Sequence, residues 1–342
     1  MTTLVLGGTG FVGGQIAREL AAAGDAVRVL VRERSSKKGL AGLEVEEVRG
    51  DVRDLESLRR AAQGVDRVVH AAGAVGLAPF AAERLRRVNV EGTRNALAAA
   101  RGAGVDRFLF VSSTAAVGSG TLDRPADETM AWDLAGKGPY WQTKQAAEQL
   151  VLDAAKKGEL DAVVVNPSYV LGPGDVKPTS GTVLLGIATG LVLFYPSGGT
   201  GFVDVRDVAR GVRLALEKGG TGERYILSGE NLTYRQVIEM AAKERGLRPP
   251  MLPLPEQVAR SAARVGDLLG PRFPRAFGLL NTPFVGSLFD LLYVTSSKAS
   301  RELGFAPRPV REAIRDAYAW FEQNGYLRAR PWQRLLKARA AA

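Results

Sequence analysis

Seven residues near the start of the chain, Gly7, Gly8, Thr9, Gly10, Phe11, Val12 and Gly13, limit what it can fold into more than any other stretch. They follow the apolar run Thr3 to Leu6 and precede Ile16, Ala17, Leu20 and Ala21, which recur at helical spacing. The order is strand, glycine-rich turn, helix. Such a turn presents bare backbone N–H groups at a helix N-terminus, where unpaired amides and the macrodipole favour the negative charge of a pyrophosphate. In this reading Gly7 makes the tight turn, Gly10 lets the backbone approach a phosphate, and Gly13 lets the helix pack closely on the strand. Thr9, Phe11 and Val12 complete the cofactor-binding loop. The competing reading is an ordinary glycine-rich turn, and the position directly after an N-terminal strand argues for the cofactor.

Ala26 to Val31 reads as the second strand, and its tip runs Arg32, Glu33, Arg34, Ser35, Ser36, Lys37, Lys38. At this tip an acid would take the ribose 2′-hydroxyl of NAD, whereas an arginine accommodates the 2′-phosphate of NADP. Arg32, with Ser35, Ser36 and Lys37 behind it, points to NADP(H); Glu33, one residue off register, keeps NAD(H) open. A strand over 44–49 leads to Asp51 and Val52, expected beside the adenine. A helix follows over 55–63, and Arg67 to His70 forms a fourth strand. The small residues Ala71, Ala72 and Gly73 at its end leave room for the nicotinamide ribose. His70, the single histidine, closes an apolar strand and reads as a core residue rather than a base. A helix from Asn89 to about Arg101 precedes the continuous apolar strand Arg107 to Val111, of the kind buried in parallel sheets, which ends in Ser112, Ser113 and Thr114. Strands alternating with helices predict an α/β fold, a Rossmann-type doubly wound parallel sheet with ligands at the carboxyl ends of its strands.

Chemistry is expected where Tyr140 and Lys144 stand four apart on a helix continued by Ala146, Ala147, Leu150 and Val151. Residues at that spacing share a face, so an ammonium can lie near the phenol. A nearby positive charge stabilises phenolate and lowers a tyrosine pKa from about 10 towards the working range of a general acid or base. An exposed helix pair is the plain alternative; the glycine loop and the serine cluster upstream give the pair its weight.

Composition narrows the chemistry. The 342 residues, 46% hydrophobic, suffice for one large core and a smaller appended domain. With no cysteine and one histidine, disulfides, thiolate sites and histidine-rich clusters are excluded, so no metal is expected. The net charge of +10 is spread among acids over most of the length, and no recognised nucleic-acid module accompanies it, so no nucleic-acid partner is expected. No apolar run reaches the ~20 residues needed to span a bilayer, and a cytoplasmic location is the default. The exception to the even spread is the tail, where Arg328, Arg330, Arg334, Lys337 and Arg339 alternate with Trp332, Leu335 and Leu336. It reads as a solvated helix or as a weak contact at the inner membrane surface.

Taken together, these features resemble the extended short-chain dehydrogenase/reductases over nearly the whole chain. The matching parts are Gly7, Gly10 and Gly13; Asp51 and Val52; Ala71 to Gly73; Asn89; Ser113; Tyr140 and Lys144; and Asn166, Pro167 and Ser168 after a strand over 162–165. The resemblance implies that Tyr140 gives or takes the proton, that Lys144 lowers its pKa and holds the nicotinamide ribose, and that Ser113 hydrogen-bonds the substrate oxygen. It also places Asn89, Pro167, Ser168 and Val170 at the cofactor. Within the family the chain looks most like the dihydroflavonol-4-reductase-like group and its branch labelled hopanoid-associated sugar epimerases, through Asn166 to Thr179, Glu223 to Thr233 and Leu303 to Tyr326. It departs from typical sugar-nucleotide epimerases at Val117, where they carry a tyrosine, and in its basic second-strand tip; both differences favour a reductase that releases its cofactor. By the same likeness, helices near 89–101 and 140–156 would form a homodimer contact.

The expected organisation is an NADP-binding domain over 1–175, rejoined by 200–230, and a substrate domain over 176–199 and 231–342. The substrate side includes a helix over 182–193, a helix capped by Thr233, and the uncharged stretch Ala276 to Phe289. That stretch reads as a core face, an apolar lid or a membrane patch; Arg260, Arg264, Arg272 and Arg275 are candidates for a sugar nucleotide's diphosphate. Three readings stay open: an NADPH-dependent reductase of a ketone on a hydrophobic small molecule, a nucleotide-sugar epimerase or dehydratase with retained NAD, and a non-catalytic cofactor sensor.

Overall fold

The computed structural model describes residues 1–190, 192–249, 252–273, 277 and 280–327. The tail from Arg328 onward, Arg275 and part of the 276–289 stretch lie outside the described residues. Seven strands form one fully parallel sheet: β1 (Thr2–Leu6), β2 (Ala26–Val31), β3 (Glu46–Arg49), β4 (Arg67–His70), β5 (Arg107–Val111), β6 (Ala162–Pro167) and β10 (Arg224–Leu227). Their order is β10-β6-β5-β4-β1-β2-β3. Strand order runs one way from β1 through β2 to β3 and the other way from β4 outward, so the crevice at the carboxyl ends of β1 and β4 is where such a sheet takes its ligand. The ends are level, because Leu6 pairs with both Leu30 and His70, and His70 with Phe110.

Helices cover both faces. On one side α1 (Phe11–Ala22) packs against α7 (Val205–Lys218) over Val5, Val29, Val69, Leu109 and Val163. On the other, α2 (Leu55–Ala62), α4 (Gly92–Ala103) and α5 (Pro139–Lys156) cover Leu4, Leu6, Val68, Phe108 and Phe110. The inner strands are apolar on both sides because neither face meets water. Before α4 the chain is already helical, through α3 (Ala82–Leu85) and a π-turn over Arg86–Glu91.

The return of the chain after residue 199 divides. Instead of joining the large sheet, β9 (Gly199–Asp204) centres a second one, flanked by β11 (Glu230–Thr233) on one edge and by β7 (Tyr169–Leu171) and β13 (Leu291–Leu292) on the other. Only α7 and β10 return to the first sheet. Asp204 caps α7 by accepting from the Arg206 amide at 2.8 Å. Buried Asp207 holds Arg308, accepting from its amide at 2.8 Å and its guanidinium at 3.0 Å, which ties α7 to the segment entering α12 (Val310–Gln323). The helix expected over 182–193 ends early: α6 spans Thr182–Ala188, and Gly190 follows at φ +71°. Thr233 caps α8 (Tyr234–Glu244) with a reciprocal Gln236 bond, as its position before an apolar periodic run requires. A short ribbon of β8 (Phe194–Tyr195) and β12 (Leu252–Pro253) leads to α9 (Glu256–Leu269), which packs on α10 (Thr282–Ser287) before α11 (Ser297–Leu303). Among the described residues no helix is long and apolar enough to cross a membrane.

Candidate active site

The glycine loop sits at the centre of the crevice. Gly7, at φ +90°, lies so close to the end of β4 that a Cβ would fall 2.6 Å from the Ala72 backbone nitrogen. A Cβ on Gly13 would fall 2.3 Å from the Gly7 carbonyl oxygen. Gly10 differs: beyond Gly7 O at 3.2 Å its Cβ would meet open space. Gly10 is also the N-cap of α1 and brings no side chain to the helix end. The loop is thus closed towards the protein at Gly7 and Gly13 and open at Gly10, with Thr9, Phe11 and Val12 partly exposed around it. That cradle, filled only by glycine, fits a pyrophosphate against backbone amides.

At the tip of β2, Arg32 is exposed, and the Ser35 amide bonds its carbonyl at 2.9 Å. The Ser35 hydroxyl is buried without a hydrogen-bond partner. Lys37 is otherwise engaged, paired with Glu47 of β3. Across the crevice Asp51 takes a bidentate bond from Arg53 at 2.9 and 2.8 Å, which holds its carboxyl below the usual range despite partial burial, with Arg32 adding to the effect. Val52 is buried, and Asn95 of α4 donates to its carbonyl at 3.0 Å. Asp51 and Val52 therefore form a fixed wall. An exposed arginine beside a buried, unpartnered hydroxyl fits an anionic ligand, which would satisfy both.

Ala71, Ala72 and Gly73 form the opposite lip. They are held by Asn89, which lies in the π-turn and accepts from the Ala74 amide at 2.7 Å while donating to Ala74 O at 3.1 Å and to Thr143 Oγ1 at 3.2 Å. Asn89 thereby clamps the lip to α5, and π-turns recur at such sites. His70 is fully enclosed, its Nε2 3.1 Å from Thr93 Oγ1 and its ring against Phe110. Burial first, and the Lys144 charge second, push its pKa down to about 3, so it is neutral at physiological pH.

Ser113, Tyr140 and Lys144 converge beyond this lip. Ser113 caps a short turn by accepting from the Ala115 amide at 3.2 Å. Gly138, at φ +118°, and Pro139 start α5 directly before Tyr140. The phenol interacts with the Ser113 hydroxyl, and its ring packs against the cluster Ala115, Leu134 and Trp141, which Leu77, Trp132 and Leu292 also cover. Lys144 is 6% exposed; its Nζ donates to Val111 O at 3.0 Å and lies 4.8 Å from the Phe110 ring centre. Burial lowers its pKa to about 8, and the Glu148 charge opposes that. Burial pushes Tyr140 up and the Ser113 hydroxyl opposes that, while Lys144 Nζ is hydrogen-bonded to the end of β5.

Behind the triad lies a polar network that sequence reasoning missed. Glu148, 2% exposed, accepts from Asn166 Nδ2 at 2.6 Å and Arg224 Nη1 at 3.0 Å, and Asn166 also donates to Ser113 O at 3.0 Å. The signal was present: Tyr140, Lys144 and Glu148 repeat every four residues along one helix. Pro167 and Ser168 are buried at the end of β6, where the Ser168 hydroxyl has no partner, and Val170 pairs with Val203 in the second sheet. Val117 does not face the site; it is fully buried with Ala126, Ile226 and Val294, so its identity says nothing about the substrate.

A family model described as the NAD dependent epimerase/dehydratase family matches residues 3–228. Sterol demethylase protein B of Methylococcus capsulatus is 36% identical over 332 residues, covering 96% of this chain and 100% of its own. A Synechocystis sp. protein provisionally named dihydroflavonol 4-reductase is 37% identical, covering 95% of each chain. A solved nucleoside-diphosphate-sugar epimerase from Pseudomonas aeruginosa superposes with a TM-score of 0.80 at 29% identity, covering 95% of this chain and 99% of that one. The matches run over nearly the full length of the chain and agree with its glycine cradle and parallel sheet, and the chain belongs to the NAD dependent epimerase/dehydratase family, in its extended short-chain dehydrogenase/reductase branch, whose members bind a nicotinamide dinucleotide.

Proposed function

We propose that the protein is an NADP(H)-dependent oxidoreductase that reduces a ketone on a hydrophobic molecule to an alcohol. The observation that carries this reading is the tip of β2, where exposed Arg32 stands beside the buried, unpartnered Ser35 hydroxyl, within reach of the crevice that leads to Ser113, Tyr140 and Lys144. Both groups suit a 2′-phosphate. The glycine cradle would hold the pyrophosphate and the Ala71–Gly73 lip the nicotinamide ribose. When bound there, a reduced nicotinamide would supply the hydride that a carbonyl carbon takes. The chain supplies the rest: Ser113 donates a hydrogen bond to the substrate oxygen, and Tyr140, kept protonated by burial, gives that oxygen its proton. Lys144 would hold the ribose and stabilise the negative charge left on the phenol. The apolar surroundings of Tyr140 favour a greasy substrate, as does the word sterol in the name of one relative. Among the arginines available to a diphosphate, Arg260 is paired with Glu256 on the surface of α9.

The test is a fluorescence titration with NADPH and NADH, with Arg32→Asp alongside. NADPH should bind at least about tenfold more tightly than NADH, and the substitution should remove that preference. Protein that carries retained NAD and ignores NADPH would overturn the reading in favour of the nucleotide-sugar epimerase or dehydratase, the activity named for the Pseudomonas aeruginosa relative. NADPH binding without hydride transfer to any ketone, unchanged by Tyr140→Phe, would favour the sensor.

A further inference from the structure

Helix α9 is apolar on two faces, and the larger residues are on the outer one. Its inner face is built of Ala259, Ala263 and Gly266, which pack against Leu280, Phe284 and Val285. Its outer face turns Val258, Val265 and Leu268 to solvent, 63%, 53% and 79% exposed. Seven and three residues apart, these three lie on one stripe. Phe273, just past the helix, and Phe80, whose ring approaches Gly270 at the helix end, are themselves 55% and 50% exposed. A surface helix of a monomer ordinarily shows the reverse arrangement, and a contiguous exposed stripe of this kind marks a contact.

We propose that this face seats the protein on an anionic lipid bilayer surface. Charge selects the occupant. Arg264 and Arg272 lie beside the stripe, exposed, and among the described residues neither has an acidic partner. An apolar stripe rimmed by unpaired arginines matches acyl chains below a plane of anionic headgroups. A second copy of the chain docking by the same face would bring the same arginines against one another across a two-fold axis. The chain's own segment after Tyr326 would repel them as well, since it carries Arg328, Arg330, Arg334, Lys337 and Arg339 and no acid.

The location gives the contact a use. Asp267 of α9 accepts from the Thr282 amide at 3.1 Å and its hydroxyl at 2.5 Å, fixing α9 to α10. Pro283 of α10 packs on Gly138, two residues before Tyr140, where a Cβ would fall 3.1 Å from it. The hairpin that meets the lipid is the one beside the mouth of the site. A ketone dissolved in the bilayer would reach Tyr140 without crossing bulk water; this use rests on the proposed reductase activity, whereas the docking does not.

The test is co-sedimentation of the full chain with vesicles of phosphatidylcholine alone and of phosphatidylcholine mixed with phosphatidylglycerol, at low and high salt. The expected result is binding to the anionic vesicles, weakened by salt and reduced about tenfold or more by the pair Val265→Asp and Leu268→Asp. Thermal unfolding and NADPH titration of the same variant should match the parent, which separates docking from folding and from the cofactor site. Absence of binding to any vesicle overturns the proposal. So does undiminished binding of the double variant, which would move the contact to the basic tail. A parent that dimerises in solution, becomes monomeric in the double variant and ignores vesicles overturns it in favour of a second copy.

Discussion

His70 and Lys144 begin from similar positions and end with opposite duties. Both are enclosed beside Phe110, His70 at the end of β4 and Lys144 on the helix that crosses it, and burial lowers the pKa of each. For His70 the result is about 3, and its one partner is the neutral hydroxyl of Thr93. Lys144 starts from an ordinary value of 10.5 rather than 6.5 and ends at about 8: burial lowers it and the Glu148 charge one helical turn away opposes the fall, while its Nζ donates to Val111 O at 3.0 Å. Burial beside a like charge takes a group with a low ordinary pKa out of chemistry, whereas burial beside an opposite charge leaves one with a high ordinary pKa charged at neutral pH and close to titration.

The sharpest way to break this contrast is Lys144→Met. Ketone turnover should fall by about a hundredfold or more, since the charge that supports the phenolate is gone. Stability should move the other way. Because the folded pKa lies below the unfolded one, the buried ammonium destabilises the fold below about pH 8, and that penalty fades as pH rises towards 10.5. The variant should therefore gain about 1–3 kcal/mol at pH 7, with the gain shrinking towards pH 10. Denaturant unfolding at the two pH values reads it, and a less stable variant at pH 7 would contradict the account.

Removing His70 tests the other side. His70 must pick up its proton on unfolding, so it subtracts stability as pH falls from about 6.5 towards 3. His70→Leu should remove roughly 2–3 kcal/mol of the acid-induced loss between pH 7 and pH 4.5 while leaving NADPH affinity at pH 7 unchanged. A large loss of cofactor binding would show that His70 is more than a core residue. Third in size is Glu148→Gln, expected to cost about 2 kcal/mol by leaving Arg224 without its buried partner. The same change should lower the Lys144 pKa further, so that NADPH affinity starts to fall about half a pH unit earlier on the alkaline side. Titrations across pH 7 to 9.5 separate this from a merely structural defect, which would weaken binding equally at every pH.

What could be read in advance followed from local rules. Strands β2, β4 and β5 span the ranges read from the sequence, because the apolar residues that dominate each of them suit a sheet buried on both faces. The Thr233 cap and the glycine loop are likewise set by residues within a turn of one another. What could not be read depended on distant partners. The run at 199–204 has the character of a strand whichever sheet it joins, and only the approach of β7, β11 and β13 decides that it leaves the first. Tyr140 and Lys144 share a face as their spacing requires, yet how far each is desolvated, and that Lys144 reaches Val111 O, comes from α5 lying down on β5. Asn89 was marked for the cofactor from its place in the chain; its clamp on Ala74 and Thr143 spans 15 and 54 residues.

The sequence by itself determined the doubly wound sheet, the glycine cradle and which side chains are candidates for the chemistry, since periodicity, turn chemistry and residue type are properties of neighbours along the chain. Tertiary structure alone decided which of the enclosed groups stay charged, how Glu148, Asn166 and Arg224 brace the triad from behind, and that α9 turns its large apolar residues outward. Those outcomes depend on desolvation and on contacts between segments far apart in the chain, and no local pattern encodes either.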